Sequence, residues 1–438
     1  MTETDIDGPD FFTDNALLAD PYAYLAAMRG QCPVRRESHR GVVMVTGYEE
    51  SLSVYNDTER FSSCISVTGP FPGFPVPLAG DDISVLIEQH RDKLPMNDQL
   101  PTMDPPGHTQ HRGLLTTMIT PVRLRENEEF MQRLCARQYD AALGADAAGG
   151  AVGGRGTAEF IGDFASPFVM LVIADLLGVP EEDHGEFVQA VLHGAAGGMI
   201  GSSKEGETVK HSPLEYLYAR FSAYIEERRR APRADVLTGL AQATFPDGSL
   251  PEVIDVVRVA ANLFAAGQET TIRLLSSAVK ILAEDRELQA RLRADRSLLR
   301  NFIEETLRWE SPVRGDFRLS RVPVTVGGVD LPAGTTLMLL NAAANRDPRQ
   351  FADPDAFDVD RENARFHFAF GRGVHICPGA ALARTEARIS LGQLLERTTD
   401  IWIDEEHHGP AGDRKYHYIP TFILRGLTRL HIGYTLAE

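Results

Sequence analysis

Ten consecutive residues constrain this chain more than any other part of it: Phe370-Gly371-Arg372-Gly373-Val374-His375-Ile376-Cys377-Pro378-Gly379. They lead directly into AALARTEARISLGQLLE, rich in helix formers and with apolar residues at three- and four-residue steps. Cys377 therefore stands at a helix entrance. There, free backbone N–H groups and the positive end of the helix dipole favour thiolate over thiol and lower the cost of an anionic sulfur in a buried place. Pro378 suits the first helical turn, where its missing N–H costs nothing. Glycines at 371, 373 and 379 let the backbone turn sharply and approach a flat cofactor. Taken by itself, such a cysteine also fits a redox sensor or a simple buried residue.

Composition removes several classes of function. The chain has 438 residues, 43% apolar and 24% charged, as in ordinary globular proteins. Its 44 basic against 62 acidic residues give a net charge of -18, which repels phosphate backbones and anionic lipid, so no nucleic-acid partner is expected. A local basic patch can still dock an acidic protein. The opening MTETDIDGPDFFTDN has acids where a secretory signal has a basic end, and no later stretch is long enough to span a bilayer. A cytoplasmic protein without a membrane anchor is expected. Cys32, Cys64, Cys135 and Cys377 are scattered, which suggests neither a disulfide framework nor a zinc site. Cys64, beside Ser62 and Ser63, lacks an accompanying base motif and is assigned no catalysis.

Along the chain, the run Gly41 to Thr46 suits a sheet, whereas TGPFPGFPVP from Thr68 to Pro77 forbids regular helix and permits a shaped apolar loop, a kind that often lines binding sites. Helical periodicity dominates from about residue 107 to residue 310, interrupted by a Gly/Ala-rich segment from Ala141 to Ala158 that reads as a flexible surface loop. Asp163 to Gly178 is apolar enough for a core helix, so residues 1–438 read as one domain. A long helix is expected from about Ile254 to Glu284, and short strands between Val322 and Leu340, joined by turns at Gly327-Gly328 and Pro332-Ala333-Gly334. No P-loop, GxSxG elbow or GxGxxG fingerprint occurs. Glu406-His407-His408 superficially resembles a metal site, but a solvated turn before Gly409-Pro410 is the expectation.

The Phe370–Gly379 segment resembles the haem signature of cytochromes P450, Phe-Gly-x-Gly-x-His-x-Cys-x-Gly, at all six fixed places. In that family a cysteine thiolate is the proximal ligand of haem iron, so the resemblance implies Cys377 as metal ligand and haem b as cofactor. Three further motifs follow the family in the expected order. Glu305 and Arg308, three residues apart on a helix, resemble its Glu-x-x-Arg pair, and Phe351–Arg361 resembles its intervening segment. The resemblance makes Glu305, Arg308 and Arg361 a buried structural network; a solvated surface pair is the alternative for an isolated Glu-x-x-Arg. Asp104-Pro105-Pro106-Gly107-His108 leads a helix on which His108 and Arg112 lie one turn apart. By resemblance these two bind the haem propionates together with Arg318 and His375; His111 has no such match. Gly107 replaces a residue often charged in the family, which affects helix propensity more than ligand contact.

Ala265-Ala266-Gly267-Gln268-Glu269-Thr270-Thr271 resembles the family's oxygen-activation sequence. An interior glycine costs about 1 kcal/mol of helix propensity, and its small size beside Ala266 could make room for dioxygen. Thr270 can bond to a carbonyl of the preceding turn and help bend the helix, and Glu269 with Thr270 forms an acid–alcohol pair suited to catalytic proton transfer. A kink with a solvent-facing acid is the plain alternative.

The resemblance runs from Asp20-Pro21-Tyr22 to Pro420–Gly426. It implies a mainly α fold with a smaller β region, the P450 fold, with haem between the long central helix and the cysteine-loop helix. It further implies a monooxygenase that inserts one oxygen atom of O₂ into a substrate, with electrons from a separate ferredoxin-like or flavodoxin-like donor and an NAD(P)H-dependent reductase. A local dock for that donor is expected from Arg372, Arg123 and Arg125. By family placement the substrate walls are Phe71, Phe74 and Val76, Ala266 with Thr270, Val313, Arg314, Thr421 and Phe422. These are mostly apolar, which favours a terpenoid, steroid or fatty acyl compound. Arg314 either anchors a carboxylate or pairs with Asp316 at the surface. The competing readings are a peroxide-using or isomerising haem-thiolate enzyme, against which Glu269-Thr270 argues, and a non-catalytic haem sensor.

Overall fold

In the computed structural model, which describes residues 5–116, 119–144, 154–194 and 212–437, one helix organises the rest. Val253–Glu284 is helical over 32 residues without interruption, so the expected bend at Ala266-Gly267 leaves the hydrogen-bonded ladder continuous. It buries Val256, Ala260, Phe264, Leu275, Val279 and Leu282 among others, a stripe at helical spacing that recruits neighbours on several sides. These are the helices Ser166–Leu177, Ser212–Arg230 and Ala380–Arg397. The long helix ends at Asp285, whose extended backbone breaks the ladder and whose carboxylate caps the next helix, Arg286–Ala294, by accepting the Leu288 N–H at 2.9 Å.

The Asp163–Gly178 expectation holds as a π-turn, Ile161–Ala165, feeding the helix Ser166–Leu177, which is buried on nearly every side. Of the Gly/Ala-rich interruption, residues 145–153 lie outside the described residues. Its last part is a strand, Arg155–Glu159, which pairs antiparallel with His431–Leu436. That partner is 270 or more residues away, beyond the reach of local periodicity. His431–Leu436 also pairs with Thr398–Ile403 and so forms the middle of a three-stranded sheet.

A second sheet has five strands in the order Val34–Arg36, Val43–Val45, Thr336–Leu339, Asp316–Ser320, Phe61–Ser62. Only the pairing of Val43–Val45 with Thr336–Leu339 is parallel. Alternation along Asp316–Ser320 sends Phe317 into an apolar cluster while Asp316 and Arg318 share the opposite face. The strands expected between Val322 and Leu340 are Val324–Val326, Val329–Leu331 and Thr336–Leu339.

Glu305 and Arg308 lie on the helix Leu299–Trp309, fully buried. Arg308 grips the carboxylate through Nε and Nη2, both at 2.7 Å, and spends its other donors on the carbonyls of Asn345, Pro354 and Ala356. Arg361 adds a third bond to Glu305 at 3.0 Å, and the Asp358 N–H a fourth at 2.9 Å. The alternative of a solvated surface pair does not apply here. This network fixes residues 345–361, the segment leading to the cysteine loop.

Candidate active site

The loop around Cys377 is closed by its own backbone. The Cys377 N–H donates to the Phe370 carbonyl at 2.9 Å, a 3₁₀ turn spans Gly373–His375, and the helix begins at Ala380 with Gly379 as its cap. Pro378 thus precedes the first turn rather than occupying it. Burial pushes the Cys377 thiol up in pKa; the N–H groups of Gly379 and Ala380 and the guanidiniums of Arg112 and Arg384 oppose it and favour the thiolate. Gly373 serves a different purpose from the one expected. It has φ +67°, and a Cβ there would sit 2.4 Å from the Tyr55 carbonyl oxygen, so it lets the loop close on Tyr55 rather than on a cofactor.

Beside the cysteine loop, the structure brings together the four residues expected to hold carboxylates. The rings of His108 and His375 lie 4.0 Å apart. His375 Nε2 meets the Ser63 hydroxyl at 3.1 Å, and Arg112 Nη2 donates to the Ile376 carbonyl at 2.5 Å. Arg318 is tied to Asp316 at 3.2 Å and lies over the Tyr55 ring. Asp104 steadies both histidines, since its carboxylate accepts the Ser63 N–H at 2.7 Å and its carbonyl accepts the His108 N–H at 2.9 Å.

Both ring nitrogens of His108 are buried without a hydrogen-bond partner. Burial, then the charge of Arg112, pushes the pKa of His108 down to about 4; burial, then Arg318, pushes that of His375 down to about 2. Such crowding of cations and starved imidazoles calls for an anion. Two carboxylates on a flat apolar body, with a thiolate at the cavity wall, are what these residues fit, and haem has that chemistry.

The cavity encloses about 300 Å³ and is lined mainly by apolar side chains, including Leu100, Ile173, Leu263, Ala266, Leu274 and Val313. Thr270 lines it and donates its hydroxyl to the Ala266 carbonyl at 2.9 Å, as the sequence predicts. Gly267 makes room for a side chain: a Cβ there would approach Ile173 Cδ1 to 2.8 Å. Glu269 is absent from the cavity wall. Its carboxylate accepts Arg273 Nη2 at 2.6 Å, because four-residue spacing puts those opposite charges on one helix face while adjacent Thr270 points elsewhere.

Several expected wall residues are placed elsewhere. Phe71 and Phe422 pack against each other and on Phe12, in an apolar cluster beside the five-stranded sheet. Phe74 joins the same cluster, and Val76 is half-buried; neither lines the cavity. Thr421 is buried and accepts the Leu424 N–H at 2.7 Å, closing a turn. Arg314 is buried neither at the cavity nor against Asp316: Nη2 donates to the carbonyls of Leu17 and Leu18 at 3.1 and 2.8 Å. Its neighbours fix that position, since strand-like pairing of Val313 with Leu424 turns Val313 to the cavity and Arg314 away. The Glu406–His408 segment is a short helix whose His408 is buried and accepts the His431 N–H at 2.9 Å, so only part of it is a solvated turn.

Three residues beside the site carry no motif. Asn262 lines the cavity two helical turns before Thr270; stepping back from Thr270 by fours would have found it. Glu386, on the cysteine-loop helix, is fully buried, and its carboxylate faces the Thr271 hydroxyl without completing a well-formed hydrogen bond. Burial pushes its pKa up to about 8. Glu304, one residue before the buried pair, holds Arg384 through bonds of 2.6 and 2.8 Å, and Arg384 in turn lies over the Phe370 ring.

A family model described as Cytochrome P450 matches residues 215–399. Cytochrome P450 144 of Mycobacterium tuberculosis is 34% identical over 419 residues, covering 94% of this chain and 89% of its own length. The monooxygenase PikC of Streptomyces venezuelae is 32% identical over 421 residues, covering 94% and 91%. Among solved structures, substrate-free Mycobacterium marinum cytochrome P450 CYP150A6 superposes with TM-score 0.91 at 52% identity, covering 99% of this chain and 100% of its own.

Proposed function

The chain belongs to the cytochrome P450 family, and from that premise we propose that it oxidises a hydrophobic small molecule of terpenoid, steroid or fatty acyl type, with electrons from a separate ferredoxin-like or flavodoxin-like donor. It is a monooxygenase, an oxidoreductase that uses haem b, and no helix among the described residues is long and apolar enough to cross a membrane. The observation that carries the substrate reading is the apolar cavity between Cys377 and the long helix. Relatives support it: CYP109E1 from Bacillus megaterium was solved with testosterone and with corticosterone, at 28% identity and TM-scores of 0.75 and 0.76.

Bound haem supplies dioxygen activation, one atom going to the substrate and the other to water with two electrons and two protons. Cys377 would hold the iron, and His108, Arg112, Arg318 and His375 the two propionates. The Thr270 hydroxyl, anchored on the Ala266 carbonyl, is placed to hand on a proton at the cavity wall. Glu269 can resupply it once its carboxylate leaves Arg273. Leu263, Ile173 and Val313 position the substrate and keep water out.

The donor's dock is the cysteine-loop face. Phe366, Val374 and Ile376 are exposed there at 42, 43 and 42%, with Arg372 beside them. Such an apolar centre with a cationic rim suits an acidic partner; Arg123 already faces Glu126, whereas Arg125 makes no ion pair among the described residues.

Two experiments test the reading. Product formation is expected to require both O₂ and a reduced donor protein; turnover with peroxide alone at the same rate would favour the peroxide-using alternative. Cys377→Ser is expected to lose the thiolate-type spectrum of the reduced carbon monoxide complex, and its retention would remove Cys377 as ligand.

A further inference from the structure

Asn262, Ala266 and Thr270 stand at four-residue steps on the long helix, and all three line the cavity. At helical rise, Asn262 lies about 6 Å from Ala266 and about 12 Å from Thr270 along the axis. Most other polar groups of the wall have a partner within the protein. Thr270 bonds to Ala266, Ser66 donates to the Pro101 carbonyl at 2.7 Å, Asn341 accepts the Tyr55 hydroxyl at 2.8 Å, and Asp316 holds Tyr55 and Arg318. Thr271 faces Glu386, and the histidine–arginine group is assigned to the carboxylates of the cofactor. The Asn262 side chain makes no hydrogen bond or ion pair with any described residue.

Asn262 is half-buried, and its amide finds no protein partner on an apolar wall, which leaves its donors and acceptors to water or to a ligand; asparagine is also a poorer helix former than leucine. We propose that Asn262 is a specificity-determining residue that hydrogen-bonds a neutral oxygen, a ketone or hydroxyl, on an otherwise apolar substrate, remote from the carbon that is oxidised. A carboxamide is uncharged and offers both N–H and C=O, so it matches ketones and alcohols. A carboxylate would call for a cation. The cavity's cations are engaged, Arg112 with the Ile376 carbonyl and Arg318 with Asp316, and Arg314, the cation expected to anchor an acid, is turned to Leu17 and Leu18. The substrate class is thereby narrowed to oxygenated terpenoids and steroids; this rests on the apolar-substrate reading above.

The test uses the ferric holoenzyme and the absorption shift on ligand binding, with three ligand pairs of increasing size: a monoterpene, a sesquiterpene and a steroid ketone, each beside its parent hydrocarbon. Asn262→Leu is expected to load haem as the wild type does, judged by its reduced carbon monoxide spectrum. It should weaken binding of the ketone that fits about 3- to 10-fold, the range of one neutral hydrogen bond, while leaving the matching hydrocarbon unchanged. Equal change for both members of the pair, or no change for either, overturns the inference and leaves the apolar-substrate reading standing. No spectral shift with any of the six compounds overturns both. Lauric acid binding more tightly than every ketone would overturn the neutral-oxygen class alone.

Discussion

Two groups of buried polar residues flank the cysteine loop, and they are finished to different degrees. In the Glu305–Arg308–Arg361 network, the carboxylate takes bonds from both guanidiniums and a backbone N–H, and Arg308 uses all of its donors. Around the cavity, His108 and Glu386 are equally well buried, yet neither nitrogen of the one has a partner and the carboxylate of the other faces only the Thr271 hydroxyl, without a well-formed hydrogen bond. Partners supplied by the fold mark a scaffold, and missing ones mark places where a ligand or an internal proton completes the set.

The largest effect should come from breaking the finished side. Glu305→Ala leaves two buried guanidiniums without their carboxylate and should cost about 3–5 kcal/mol of stability in denaturant unfolding. A loss below about 1 kcal/mol would mean that the network is no more tightly made than a surface pair. The next effect probes the unfinished side. The pKa of Glu386 is raised to about 8, so the folded chain holds that proton more tightly than the unfolded one. Its contribution is most favourable below the ordinary carboxylate pKa and is lost as pH rises toward about 8. Glu386→Gln should therefore match wild type near pH 4 and exceed it in stability by a growing margin up to pH 8; parallel stability curves would show that Glu386 is charged and partnered. The smallest is His108→Phe, which keeps an aromatic ring but no nitrogen. Haem transfer to apomyoglobin should be about tenfold more favourable from this variant than from wild type, equivalent to about 1.4 kcal/mol, whereas an unchanged transfer equilibrium would assign the orphaned nitrogens to water.

The finished side was also the legible one. Glu305 and Arg308 are three residues apart, and Cys377 sits in a ten-residue signature, so local spacing carries both. The long helix was legible within one residue at its start, because apolar periodicity over 32 residues is a strong signal. What escaped depends on contacts between distant segments. Phe71 and Phe422 meet each other rather than the cavity because both pack on Phe12, and Phe422 also on Phe317 of the sheet, contacts between segments far apart in the chain. Arg314 was misplaced by a single residue's alternation along the chain. Glu269 has two plausible neighbours in sequence, Thr270 and Arg273, and only side-chain direction decides between them.

The three-stranded sheet carries a consequence for how the molecule is made. Its middle strand, His431–Leu436, is synthesised after both of its partners, Arg155–Glu159 and Thr398–Ile403. Until it leaves the ribosome, those two segments have no strand to join them, and the helix that follows Arg155–Glu159 must wait beside an open edge. Translation therefore sets the order of assembly here: the helical centre can form early, and this sheet can close only once the last of its strands has emerged.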